Sequence, residues 1–186
     1  MSRCARRGVI ALALAMVVTV LWSPGLAIAH DAATIDRETE AALKVLYDTT
    51  PGAMELAGKA RGILVFPNIV KAGFIFGAQY GDGELLRGGR PAGHYNIAAV
   101  SYGLQAGVQS FGYAMFLMTD AALSYLDRSG GWEIGVGPSI VVIDQGAAKT
   151  LTTTTAQNDI YAFIFDQKGL MAGLGLQGSK ITKLNP

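Results

Sequence analysis

Ile160-Tyr161-Ala162-Phe163-Ile164-Phe165, then Asp166-Gln167-Lys168-Gly169, then Leu170-Met171-Ala172-Gly173-Leu174-Gly175-Leu176-Gln177, reads as two apolar runs around a turn-forming tetrapeptide. In the first run Ile160, Ala162 and Ile164 alternate with Tyr161, Phe163 and Phe165. The return run sets Leu170, Ala172, Leu174 and Leu176 against Met171, Gly173, Gly175 and Gln177. A period of two on both sides of a turn predicts a β-hairpin. One face of its return strand is leucine and the other is mostly bare backbone, so another element is expected to pack closely there. The domain is therefore built on a sheet.

Working back along the chain, residues 132–136 and 140–143 read as strands around Pro138. Thr119-Asp120 opens a helix to Arg128. Residues 95–118 place small residues (Ala98, Gly103, Ala106, Gly107, Gly112) among larger ones, and repeated glycine argues against helix. Two or three strands with bulges are expected there. Residues 63–66 form a strand ended by Pro67, and residues 73–80 form another. Gly81-Asp82-Gly83 reads as a tight turn into 84–87, and Arg90-Pro91-Ala92-Gly93 as the next turn. Two helices precede the strands. Thr34 is the expected cap of the first, which gathers Ile35, Ala42, Leu43, Leu46 and Tyr47 on one face. Pro51 starts the second, with Lys59 and Arg61 in its last turn and Gly62 as its stop. The expected class is α+β: short N-terminal helices, a strongly bent, mainly antiparallel sheet or sandwich, and one inserted helix. A closed barrel with glycines at its corners is the alternative.

Hydrophobic residues are 51% of the 186 and charged residues 16%, which excludes a disordered chain. One cysteine excludes a disulfide-stapled miniprotein. Fifteen basic residues against fourteen acidic ones give no basic face for duplex nucleic acid. Residues 1–29 read as a cleaved export signal: Arg3, Arg6 and Arg7, an apolar run over 9–22, Ser23-Pro24-Gly25, and the small-x-small site Ala27-Ile28-Ala29. The alternative, a retained anchor, has an apolar run shorter than the roughly 20 residues that span a bilayer. Cys4 precedes the apolar run, so it is not placed for lipidation. Residues 30–186 would then form a single domain with 12 basic and 14 acidic residues and no cysteine, suited to the periplasm or the cell envelope.

Chemistry-bearing motifs are sparse. Gly173-x-Gly175-x-x-Gly178 matches a dinucleotide-binding string but leaves no room for the helix and strand that must follow it. His30 and His94 could share a copper ion only if a terminus met a turn. Ser101 lies in a strand-like run, away from any strand-to-helix elbow. No enzyme, catalytic residue, metal site or cofactor is expected.

Lys59-Ala60-Arg61-Gly62-Ile63-Leu64-Val65-Phe66-Pro67 and Val70-Lys71-Ala72-Gly73-Phe74 resemble the signature of the SYLF domain, also called the actin-patch-related or Las17-binding domain. Gly135-Val136-Gly137-Pro138 is similar to its Gly-Pro segment. Tyr161, Lys168-Gly169-Leu170-Met171-Ala172-Gly173 and Leu176-Gln177-Gly178-Ser179 are similar to its C-terminal hairpin. The resemblance runs from about Leu46 to Leu184. It implies a phospholipid-binding module without enzymatic activity. Its eukaryotic members bind phosphoinositides, partly through a basic N-terminal helix, and touch actin.

Here residues 31–58 carry six acids against Arg37 and Lys44, a net of −4, which anionic lipid repels. Residues 59–90 carry a net of +3. The candidate lipid site is therefore Lys59, Arg61 and Lys71 beside Ile69, Val70 and Phe74. The expected partner is an anionic phospholipid surface; neither actin nor nucleic acid is expected. A structural or protein-interaction domain that binds another envelope protein is the alternative.

Overall fold

The computed structural model describes residues 31–74, 76–102, 107–128, 132–134, 137–143, 158–169 and 179–184. The expected export signal, the Gly135-Val136 dipeptide and the expected return strand 170–177 lie outside them. Helix α1 (Ala32–Thr49) is capped by Asp31, three residues before the expected cap Thr34. The Asp31 carboxylate accepts the Thr34 N–H at 2.7 Å and satisfies a donor that has no partner within the helix. Its buried stripe is Ile35, Thr39, Ala42, Leu43 and Leu46. Helix α2 (Pro51–Ala57) has proline at its first position and ends at Gly58, so Lys59 and Arg61 lie beyond it. The third helix, α3 (Asp120–Leu126), is capped by Thr119, which accepts the Ala122 N–H.

Among the described residues eight strands form one sheet: β1 (Gly62–Gly73), β2 (Phe76–Arg87), β3 (Arg90–Tyr102), β4 (Gly107–Leu117), β5 (Trp132–Glu133), β6 (Ile140–Ile143), β7 (Ile160–Gly169) and β8 (Lys180–Lys183). Their order is β5-β8-β3-β2-β1-β4-β7-β6, antiparallel except for β6 on β7. The sheet curls into an open half-barrel, so the fold is α+β and the closed barrel is not formed.

Three expected strand breaks are not breaks. Pro67 sits inside β1, where Pro67 and Asn68 together face the single residue Gly112 of β4. Such a bulge tolerates a residue without an N–H. Gly81-Asp82-Gly83 runs straight through β2, paired with Ile97, Asn96 and Tyr95. Asp166-Gln167-Lys168-Gly169 continues β7 to Gly169, with Asp166 and Gln167 bulged opposite Phe111 and Asp166 at φ 48°. The turn between β2 and β3 is Gly88-Gly89, both at positive φ, rather than 90–93. The bulges of β1 and β7 flank Gly112 on its two sides, and this crease bends the sheet.

The sheet buries both faces. Leu64, Phe66, Ile69, Tyr113, Met115 and Ile164 form one core with Ala122 and Leu126 of α3. Val65, Ala114, Phe116, Tyr161 and Phe163 form the other beneath Leu43, Leu46, Ala53 and Leu56 of α1 and α2. Asp159 ties three segments near α3. Its carboxylate accepts the Ser139 N–H and hydroxyl and the Thr119 hydroxyl, and the Ser139 backbone bond leads in holding it below the ordinary carboxylate value of 3.8. A depressed carboxylate stabilises the fold above its unfolded value and loses that contribution as pH falls through the folded one. The stability gap between wild type and Asp159→Asn, read from urea unfolding, should therefore shrink as pH falls from about 5 to 2. A gap that stays constant would mean that the carboxylate's charge is not what holds these segments.

Candidate functional site

Helices α1 and α2 cover one end of their sheet face and leave the other end open. On the open end a single register row crosses six strands: Lys168, Ser110, Val70, Tyr80, Ala98, Lys180. The next row outward is Val108, Ala72, Ala78, Val100. Beyond it stand Phe74 and Phe76, where β1 and β2 meet and the Phe74 N–H bonds to the Phe76 carbonyl. Phe74 is 72% exposed, Phe76 74% and Val100 89%; Val70, Tyr80 and Val108 are exposed as well. Monomeric surfaces rarely keep so continuous an apolar patch without a use for it. Lys168, which pairs with Asp166 at 2.8 Å, and Lys180 mark its two flanks, both exposed.

The opposite face at this end is polar. Gln79, Lys71 and Gln109 are register partners across three strands, all buried. Gln79 Nε2 donates to Ser179 Oγ at 2.7 Å. Strand alternation thus turns apolar side chains outward and amides inward, the reverse of the usual arrangement.

The six residues singled out from the sequence divide accordingly. Val70 and Phe74 belong to the open patch, Lys71 points to the inner face, and Ile69 is wholly buried in the core. Lys59 and Arg61 lie before the first residue of β1, and Arg61 sits 3.6 Å from Asp120. Arg61 and Lys71 are separated by about 33 Å of strand at roughly 3.3 Å per residue. The six therefore do not share one surface. Phe76, Tyr80, Val100, Val108, Lys168 and Lys180 were not singled out. The signal for two of them was present in Phe76-Gly77-Ala78-Gln79-Tyr80, where Phe76, Ala78 and Tyr80 alternate with glycine and glutamine.

A second cluster lies where α1 crosses the same face. Glu84 and His94 are opposed in register, and Asp36 Oδ1 is 2.8 Å from His94 Nε2. Glu84 is 1% exposed. Burial, reinforced by Asp36 and partly offset by His94, pushes its carboxyl from an ordinary 4.5 up to about 7. Burial likewise pushes the Tyr113 hydroxyl up within the core.

Residues 98–185 match the family described as Ysc84, Las17-binding protein actin regulator. These residues belong to the SYLF family. The SYLF match takes in the end of β3 and everything from β4 to β8, whereas α1, α2, β1 and β2 precede it. Val100, Val108, Lys168 and Lys180 of the open patch thus lie inside the SYLF stretch. The match over these residues suggests an interaction module, for lipid or for protein. No match is found among curated proteins. Among the described residues, no helix is long and apolar enough to cross a membrane.

Proposed function

We propose that this SYLF protein is a non-enzymatic phospholipid-binding module of the bacterial cell envelope, exported and released from its signal segment. It docks on anionic bilayer by the open end of the sheet. Phe74, Phe76, Val100 and Val108 enter the headgroup region, while Lys168 and Lys180 meet lipid phosphates with their apolar stems along the interface. Actin and nucleic acid have no part in this reading. The observation that carries it is the exposed apolar patch bounded by a lysine at each end of one register row.

Flotation of the purified protein with vesicles tests it. Binding should be strongest on anionic vesicles and weaker on zwitterionic ones. Raising salt from about 0.1 M to 1 M shortens the screening length from roughly 10 to 3 Å. That removes the lysine contribution and leaves the apolar one, so binding should weaken and persist. Protein that stays unbound with every vesicle at low salt would refute the reading.

A second reading, a domain that binds another envelope protein, is favoured by one feature. A groove of about 630 Å³ lies between α1, α2 and the β1–β2 pair, with Leu43, Tyr47, Met54, Ile63 and Leu86 along it. Its volume is that of a small-ligand pocket, enough for a few apolar side chains of a partner. Failed flotation together with crosslinking to an envelope protein through Met54 would favour it.

A further inference from the structure

We propose that Asp36, Glu84 and His94 form a binding site for a divalent transition-metal cation, zinc in the first instance. Three elements supply one ligand each: α1, β2 and β3. One donor atom from each side chain lies within 4.8 Å of the other two. Zinc ligand bonds of roughly 2.0–2.2 Å place tetrahedral donors about 3.3 Å apart, so only small side-chain rotations separate this cluster from a coordination shell.

The second observation is inside the cluster. Glu84 is 99% buried, and among the described residues its Oε1 has no hydrogen-bond partner. An orphaned carboxylate oxygen under a helix is costly, and a second carboxylate beside it adds like-charge repulsion. A proton or a cation must answer both, and the neighbouring imidazole favours a cation that accepts nitrogen as well as oxygen. Calcium, which takes six to eight oxygens, and magnesium, which keeps most of its waters, fit three protein ligands with one imidazole poorly. His94 and Asp36 are half-buried, so solvent reaches the cluster and a water can complete the shell. A bound ion would pin α1 to β2 and β3 over the covered end of the sheet.

The test uses protein expressed from the whole 186-residue sequence, stripped with chelator and dialysed at pH 7.5. Titration calorimetry should show one zinc ion per chain, with magnesium and calcium at least tenfold weaker. Asp36→Asn and His94→Gln should each weaken zinc by tenfold or more, and Glu84→Gln should abolish it. Zinc K-edge absorption should show one imidazole and otherwise oxygen ligands. Asp36 is on the surface of α1, so Asp36→Asn carries the test if the buried Glu84 variant fails to fold. No zinc uptake by the wild type would overturn the proposal. So would undiminished uptake by Asp36→Asn and His94→Gln, which would place the ion elsewhere, for example on His30.

Discussion

Replacing Phe74 and Phe76 together with serine should lower affinity for anionic vesicles at least a hundredfold. Both rings are more than 70% exposed and contribute nothing to either core, so the folded state loses little by the change. Burying a phenylalanine side chain is worth about 1.5–3 kcal/mol. Two of them supply about 3 kcal/mol at the low end, and 1.4 kcal/mol is a tenfold change. Lysines near an anionic surface contribute about 1 kcal/mol each. Lys168→Gln with Lys180→Gln should therefore cost roughly thirtyfold and flatten the response to salt. Lys59→Gln with Arg61→Gln alters cations at the far end of β1 and should leave flotation unchanged. Equal flotation of the wild type and the phenylalanine double variant, with circular dichroism unchanged, would remove the open patch from the mechanism.

Gly83→Val should unfold the domain or cost it about 4 kcal/mol or more, in the range reserved for a clash that cannot relax. A Cβ at Gly83 would stand 2.2 Å from the Val65 carbonyl oxygen and 2.5 Å from the Phe66 ring. The oxygen belongs to the neighbouring strand, so it cannot move without breaking the β1–β2 pairing. Gly112 makes the same kind of approach to the Phe165 ring, at 2.5 Å. Gly58→Ala is the control: its Cβ would meet only the Glu55 carbonyl, at 3.7 Å, in helical backbone. That change should be neutral or stabilise by about 0.4–1 kcal/mol through the unfolded chain. Urea midpoints for the three proteins decide the matter. A Gly83→Val midpoint close to that of Gly58→Ala would mean that the close approach of β1 and β2 at Gly83 can relax.

Much of the architecture was legible in local pattern. The face of α1, the start of α2, the cap of α3 and the alternation in 160–165 each follow from spacing within a few residues. The misplaced turns share one cause. Glycine serves both where the chain reverses, as at Gly88 and Gly89, and where two backbones nearly touch, as at Gly83. Local sequence does not separate these uses, because the touching partner lies in another strand. Pro67 and Asp166 were misread for a related reason, since each marks a bulge that lets its strand continue.

The two surfaces were less accessible still. Alternation along 76–80 separates Phe76, Ala78 and Tyr80 from Gly77 and Gln79, but it does not say which set faces the core. That depends on how far α1 and α2 reach across the sheet, and they stop short of this end. Lys168 and Lys180 enter the same row only because β4 and β3 seat β7 and β8 in a particular register. Asp36, Glu84 and His94 are scattered over 58 residues with no ligand-like spacing, and they meet because a helix crosses two paired strands. By itself the sequence determined the class of fold, the faces of the helices and the kinship of residues 98–185, because those rest on periodicity and short motifs. Tertiary structure alone decided which apolar face stays open and which acids and imidazole converge, because both depend on contacts between segments far apart in the chain.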